Sequence, residues 1–225
     1  MITFDQLADR ARALVTDGTR ALLGITGPPG AGKTTLAEQL IQTLAPWPPS
    51  TLISDQWIAH VPMDGFHLAD TELLRLNRRD RKGAPDTFDP AGYAALLRRL
   101  GEDSDDIVYA PGFDRTLEQP IAGTIPVPPA ARLIITEGNY LLFHDHGWAR
   151  VRSQLNEVWY VDLDVDERLR RLIARHVRFG KEPTDAAAWA TGTDERNAAL
   201  IILTRPYADL IIPANLMRSL GAPPD

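Results

Sequence analysis

Eight consecutive residues, Gly27 to Thr34 in the order GPPGAGKT, carry the strongest chemical signal in the chain. Gly27, Gly30 and Gly32 let a backbone curl tightly, so that successive N–H groups converge on one anion at the positive end of the helix that follows. Ala31 and Thr35 belong to the same run of donors, from residue 30 to residue 35, and Pro28 and Pro29 stiffen its entry without removing any of them. Lys33 can neutralise the charge of the more distal phosphates, and the Thr34 hydroxyl suits Mg2+. Gly27, Gly32, Lys33 and Thr34 stand at the spacing of a P-loop, which is predicted to cradle nucleotide phosphates.

Two carboxylates are placed to work beside that cradle. The apolar run Leu133 to Thr136 reads as a strand whose end delivers Glu137 and Gly138, and Glu137 is a candidate Mg2+ partner at the sheet edge where ligands of open α/β folds gather. The run Ile58 to Met63 similarly delivers Asp64, followed by Gly65, Phe66 and His67. Phosphoryl transfer asks little covalent work of a protein, yet a carboxylate that orients an acceptor hydroxyl and takes its proton assists it, which makes Asp64 the general-base candidate. Taken alone, an Asp-Gly pair is as readily a turn. His67 could bond a substrate hydroxyl, or be a satisfied polar residue. The basic run Arg75, Arg78, Arg79, Arg81 and Lys82 reads first as a solvated face.

These residues need a scaffold, and the chain alternates the elements for one. Thr3 with Gln6 forms a potential capping box, and Phe4, Leu7, Ala8, Ala11, Leu14 and Val15 recur at helical spacing up to Gly18. Strand-length apolar runs occur at Ala21 to Thr26, Ile58 to Met63, Ile107 to Tyr109, Leu133 to Thr136, Val158 to Leu163 and Leu210 to Ile212. Helical stretches lie between several of them, at Lys33 to Leu44, Pro90 to Leu100, Asp166 to Phe179 and Asp194 to Leu203. The expectation is an α/β fold with a mostly parallel sheet covered on both faces. The proline-rich breaks Pro46 to Pro49 and Pro126 to Pro129 read as loops within one domain spanning residues 1–225.

Composition narrows the function classes. The chain has 225 residues, 44% of them hydrophobic, and no cysteine, which removes disulfides, thiolate metal sites and a cysteine nucleophile. A net charge of −6 lacks the basic excess that nucleic acid demands. No uncharged run reaches membrane-spanning length, and no secretory h-region opens the chain. A cytoplasmic protein with neither nucleic acid nor membrane as partner is expected.

The segments GPPGAGKTT, PMDGFH, KGAPDTFD, YAPGFDR, TEGNYLL, DVDERLRRLIARH and YADLIIP follow one another between residues 21 and 213. Their order resembles the superfamily of uridine kinases, phosphoribulokinases and pantothenate kinases. PMDGFH, PGFDR and EGNYLL look most like its bacterial branch of nucleoside/nucleotide kinase-like proteins, which includes fructose-transport-system kinases. The resemblance implies a P-loop NTPase three-layer sandwich using ATP and Mg2+, with Asp64 as catalytic carboxylate and Glu137 as the strand-end acid. It further implies that Lys33 and Thr34 serve phosphate and Mg2+, and that Lys82, Tyr109 and Arg115 lie beside the acceptor. Arg168, Arg171, Arg175 and Arg178 recur at intervals of three and four on one helix. This resembles the family's lid, about residues 166–192, in which Arg171 and Arg175 would offset charge on the transferred group.

YAPGFDR departs from the corresponding segment of uridine kinases, and the chain is too short for the extra regions of pantothenate kinases. A sugar or other polyol is therefore the expected small-molecule acceptor, with a nucleoside or pantothenate as the alternative. Neither Asn-Lys-x-Asp nor Thr-Lys-x-Asp, the guanine signatures of GTPases, occurs. A nucleotide-sensing module without turnover stays open at this level, and the resemblance extends to a possible homodimer.

Overall fold

The computed structural model describes residues 2–50, 52, 56–102 and 105–220. Helix α1 (Phe4–Ala13) starts at the capping box: the Thr3 hydroxyl accepts from the Gln6 N–H, and the Gln6 side chain accepts from the Thr3 N–H. It ends before Gly18 because the chain tightens into successive i→i+3 turns at Leu14 and Val15. Strand β1 (Ala21–Thr26) leads to helix α2 (Lys33–Leu44), the element the phosphate motif was expected to open.

Five parallel strands form the central sheet in the order β2 (Ile58–His60), β5 (Leu133–Glu137), β1, β6 (Glu157–Val161), β7 (Leu210–Ile212). Both faces are covered, so alternate residues of one strand enter different cores. In β1, Leu22 packs on one side, while Ala21, Leu23 and Ile25 pack on the other with Leu7, Leu36 and Leu40 of α1 and α2. The opposite core is built on Tyr93, Tyr140 and Trp148 together with Leu97 of helix α4 (Pro90–Gly101). Asp89 caps α4 by accepting from the Gly92 N–H, with Pro90 at the first helical position.

Three readings of the sequence are corrected here. The run at Ile107 to Tyr109 does not join the main sheet: it opens β3 (Val108–Asp114), which pairs antiparallel with β4 (Gln119–Val127) as a separate hairpin. Pro126, expected in a loop, lies in β4 opposite Tyr109, a position open to proline because a two-stranded ribbon leaves one side of each strand unpaired. The run from Ile58 ends as a strand at His60. Val61 adds one bond to Ile135, then Pro62, lacking an N–H, leads into the 3-10 turn Met63–Phe66 that carries Asp64.

Helix α3 (Asp70–Arg75) and the short α5 (Ala149–Arg152) complete the body. The expected lid consists of α6 (Val165–Arg178) and α7 (Pro183–Trp189), followed by a π-turn at Ala190–Asp194 that continues into α8 (Glu195–Ile202). Helix α9 (Ala214–Leu220) packs against α2, with Met217 in the core. No helix among the described residues is long and apolar enough to cross a membrane.

His60 tests this packing. Its Nε2 is buried without a partner among the described residues, and burial pushes the imidazole down to about 4. The folded value lies below the unfolded one, so between about pH 6.5 and 4 the unfolded chain binds the extra proton and stability falls as pH falls. Urea denaturation should show the wild type losing on the order of 2 kcal/mol more than His60→Leu on going from neutral pH to about pH 4.

Candidate active site

Gly32 occupies the cap position of α2 in a left-handed conformation and offers no side-chain acceptor. The first-turn N–H groups of Lys33, Thr34 and Thr35 have no intrahelical acceptor by the geometry of any α-helix, so they are left for an anion at the positive end of its dipole. Gly30 meets a second demand. At φ +82 a Cβ there would stand 2.8 Å from the backbone oxygen of Arg168, so only glycine lets α6 approach the loop this closely. Arg168 secures that approach: fully buried, it donates to the Pro29 carbonyl at 3.2 Å and pairs with Glu195 of α8.

Lys33 lies along the loop, its Nζ donating to the carbonyls of Gly27 and Pro28 at 2.9 and 3.1 Å. Burial pushes its ammonium down to about 8, a cost that an incoming phosphate would relieve. Thr34 Oγ1 donates to Glu137 Oε1 at 2.9 Å. The pair forms because β1 and β5 are neighbours in register, Ile25 beside Glu137. Burial and the charge of Asp64 raise the Glu137 carboxyl. A hydroxyl and a carboxylate whose charge lacks full compensation are a donor set that fits Mg2+ arriving with phosphate oxygens.

Asp64 sits across from this pair. Arg115, in the turn that joins β3 to β4, donates to Asp64 Oδ2 at 3.0 Å. Burial would raise this carboxyl, but the positive fields of His67, Arg115, Arg175 and Lys33 outweigh it and hold it below the usual range. The hairpin can approach because residue 65 is glycine: a Cβ would lie 2.1 Å from the Pro111 backbone oxygen. Arg115 is also stacked between Phe113 and Phe179, 5.8 Å from each ring centroid, which ties the hairpin to the end of α6.

Two clefts of similar size meet at Asp64. The phosphate cleft, about 640 Å3, is lined by Gly30, Gly32, Lys33, Thr34, Thr35, Glu137, Arg171, Arg175 and Arg178. Arg171 is braced by Glu167 at 2.6 Å, whereas Arg175 makes no hydrogen bond or ion pair among the described residues. A second, polar cleft of about 630 Å3 is lined by His67, Asp70, Arg79, Lys82, Phe88, Phe113, His176, Trp189, Asp194 and Asn197. Asp64, Arg115, Arg175, Pro29 and Asn139 line both.

The expected residues thus divide. Asp64, Lys33, Thr34, Arg171, Arg175 and Arg115 come together, and Gly27 and Ala31 shape the loop behind them. Glu137 lines the phosphate cleft and not the polar one. The placement of Tyr109 beside the acceptor is corrected: strand alternation buries Val108 and Ala110 and leaves Tyr109 57% exposed, outside both clefts, so Phe113 and Arg115 represent that segment. Lys82 reaches the polar cleft, but Asp70 holds it at 2.6 Å and the Glu118 carbonyl also accepts from it. Nor is the basic run a plain solvated face: Arg78 and Arg81 bind Asp86, while Arg79 shares Asp70 with Lys82. His67 is wedged between Phe88 and Phe113, its Nδ1 donating to the Asp64 carbonyl. Burial lowers its pKa, and the charge of the Asp64 carboxylate opposes that shift. Trp189 and Asp194 had no local signature, and Asn139, Phe113 and His176 lie within the quoted segments without being singled out by them; only the fold assembles the five.

A glycine-rich loop between a parallel strand and a helix, facing a carboxylate at the next strand end beneath an arginine-bearing helix, defines a P-loop kinase. No protein-family model matches the sequence. It is 30% identical over 222 residues to a Schizosaccharomyces pombe protein provisionally named a uridine kinase, across 97% of this chain and 91% of that one. It is 33% identical over 162 residues to an ATP-dependent kinase-like protein of Aspergillus versicolor, across 68% of this chain and 94% of that one. The crystal structure of a protein from Silicibacter sp. TM1040, provisionally described as a fructose transport system kinase, superimposes with a TM-score of 0.82 at 34% identity, across 95% of this chain and 100% of that one. The chain belongs to the uridine kinase-like family of P-loop kinases.

Two variants probe the geometry. Lys33→Met should weaken binding of a fluorescent ATP analogue roughly 10- to 100-fold, the scale of hydrogen bonds to a charged group. Gly65→Ala should displace the hairpin from the Asp64 turn and lower turnover about 100-fold. The thermal transition should persist and the ATP KM should move little, since the P-loop hangs from another strand.

Proposed function

We propose that the chain is an ATP-dependent kinase that transfers the γ-phosphoryl group to a hydroxyl of a small molecule, a sugar or other polyol. The observation that carries this reading is Asp64 at the seam of the two clefts, ionised and aimed by Arg115. In the reaction the acceptor oxygen forms a bond to the γ-phosphorus, the bond to the β,γ-bridging oxygen breaks, and ADP leaves. The hydroxyl proton passes to Asp64.

The first-turn N–H groups of α2 and the Lys33 ammonium hold the phosphates, while Arg171, Arg175 and Arg178 of α6 offset charge spreading over the transferred group. Mg2+ on Thr34 and Glu137 supplies further neutralisation of phosphate charge when bound. Closure of α6 and α7 over the clefts would exclude water, the competing acceptor.

The lining of the polar cleft supports an uncharged, hydroxyl-rich acceptor. Its acids, Asp64, Asp70, Asp80, Glu118 and Asp194, equal in number its bases, Arg79, Lys82, Arg115, Arg175 and Lys181. An anionic or cationic acceptor gains little from so balanced a set.

ADP release in the presence of ATP and Mg2+ should be measured against D-fructose, D-ribose, D-glucitol, pantothenate and uridine, the last because of the S. pombe relative's name. A sugar or polyol is expected to stimulate turnover, and Asp64→Asn should lower kcat roughly 100- to 10,000-fold with the ATP KM preserved. Stimulation by uridine alone would overturn the polyol assignment; an unchanged kcat in Asp64→Asn would overturn the role of Asp64.

A further inference from the structure

Between α7 and α8 the chain makes a π-turn, Ala190–Asp194, in place of continuous α-helix. Such turns rotate the side chains that follow and recur at functional positions. This one ends on Asp194, which lines the polar cleft although only 8% of it is exposed. Its Oδ2 accepts from His176 Nε2 at 2.7 Å, which fixes the carboxylate against α6. Oδ1 has no donor among the described residues and is not sealed off.

One helical turn on, Asn197 is 5% exposed and lines the same cleft. Its Nδ2 donates to the Gly83 carbonyl at 3.2 Å, leaving Oδ1 without a donor among the described residues. Asp194, Asn197 and His176 line the polar cleft and not the phosphate cleft, so they stand away from the transferred phosphoryl group. Two unspent acceptor oxygens on adjacent turns call for a ligand with donors, and a neutral ligand at that, because the acids and bases lining the cleft are equal in number.

We propose that Asp194 and Asn197 form a hydroxyl-reading site that binds the end of the acceptor remote from the reacting oxygen, selecting compounds with hydroxyls there. The inference rests on the polyol-kinase reading above and adds the residues that discriminate among polyols. A site that accepts hydrogen bonds from substrate hydroxyls rejects analogues lacking them, because its buried acceptors are then left unpaired.

The test is calorimetric titration of the protein saturated with ADP and Mg2+, using D-fructose, D-ribose, D-glucitol and 2-deoxy-D-ribose in wild type, Asp194→Ala, Asp194→Asn and Asn197→Ala. At least one polyol should bind the wild type. Asp194→Ala should weaken it roughly 10- to 100-fold, the scale of a hydrogen bond to a charged group. ADP affinity and the thermal transition should be preserved, and isosteric Asp194→Asn should recover part of the loss. A deoxy compound lacking the hydroxyl that is read should bind the wild type weakly and lose nothing further in Asp194→Ala, a coupling that a structural role would not produce. Absence of polyol binding to the wild type, or polyol affinity within about twofold of wild type in both Asp194→Ala and Asn197→Ala, overturns the inference. Kinase activity is judged separately by ADP release with uridine and pantothenate in the panel, so the two readings fail by different results.

Discussion

Two carboxylates and one ammonium at the carboxyl edge of the sheet set the conditions that the rest of the molecule meets. Glu137 is raised by burial and by the charge of Asp64, and Lys33 is pushed down by its own burial. Such a cluster is unfavourable unless further charges balance it. Arg115 from the hairpin and Arg175 from α6 provide that balance, and both come from elements outside the central sheet. Electrostatic compensation of the site and attachment of the peripheral elements are therefore one problem with one solution.

The same economy governs α6. Its buried face carries Arg168 and Leu172 against the loop at Gly30, so the helix that presents cations to the phosphates is rooted on the backbone that would hold them. Arg168 has no exposure to spend on a ligand, while Arg171, Arg175 and Arg178, on the cleft side, do. Salt bridges within α6, Glu167 to Arg170 and Arg171, are local and partly solvated, and steady side chains more than they stabilise the fold. Stability and catalytic charge are divided between faces of one helix.

The polar cleft is assembled from more distant parts. The Gly83 carbonyl accepts from both Tyr140 and Asn197, and Trp148 donates to the Pro85 carbonyl, so the segment after the basic run is pinned by residues from three later stretches of chain. Phe88 from that segment packs edge-on against Tyr140 and Trp148 and supports His67. A loop that carries site residues is thus given the rigidity that positioning requires.

Much of the site is legible without coordinates, because its chemistry is local. The P-loop is a short contiguous solution to holding phosphate, so its glycines, Lys33 and Thr34 can be read off one stretch; Asp64 and Glu137 follow from the rule that apolar runs end where ligands gather. The layered α/β class and most boundaries follow from periodicity, which reports burial on one or two faces. The hairpin, the π-turn, the partners of the basic run and the outward turn of Tyr109 depend on contacts between residues far apart in the chain, which no local pattern encodes. The sequence determined which groups could bind phosphate and move a proton. Only tertiary packing decided which charges neutralise one another and which remain free to meet a ligand.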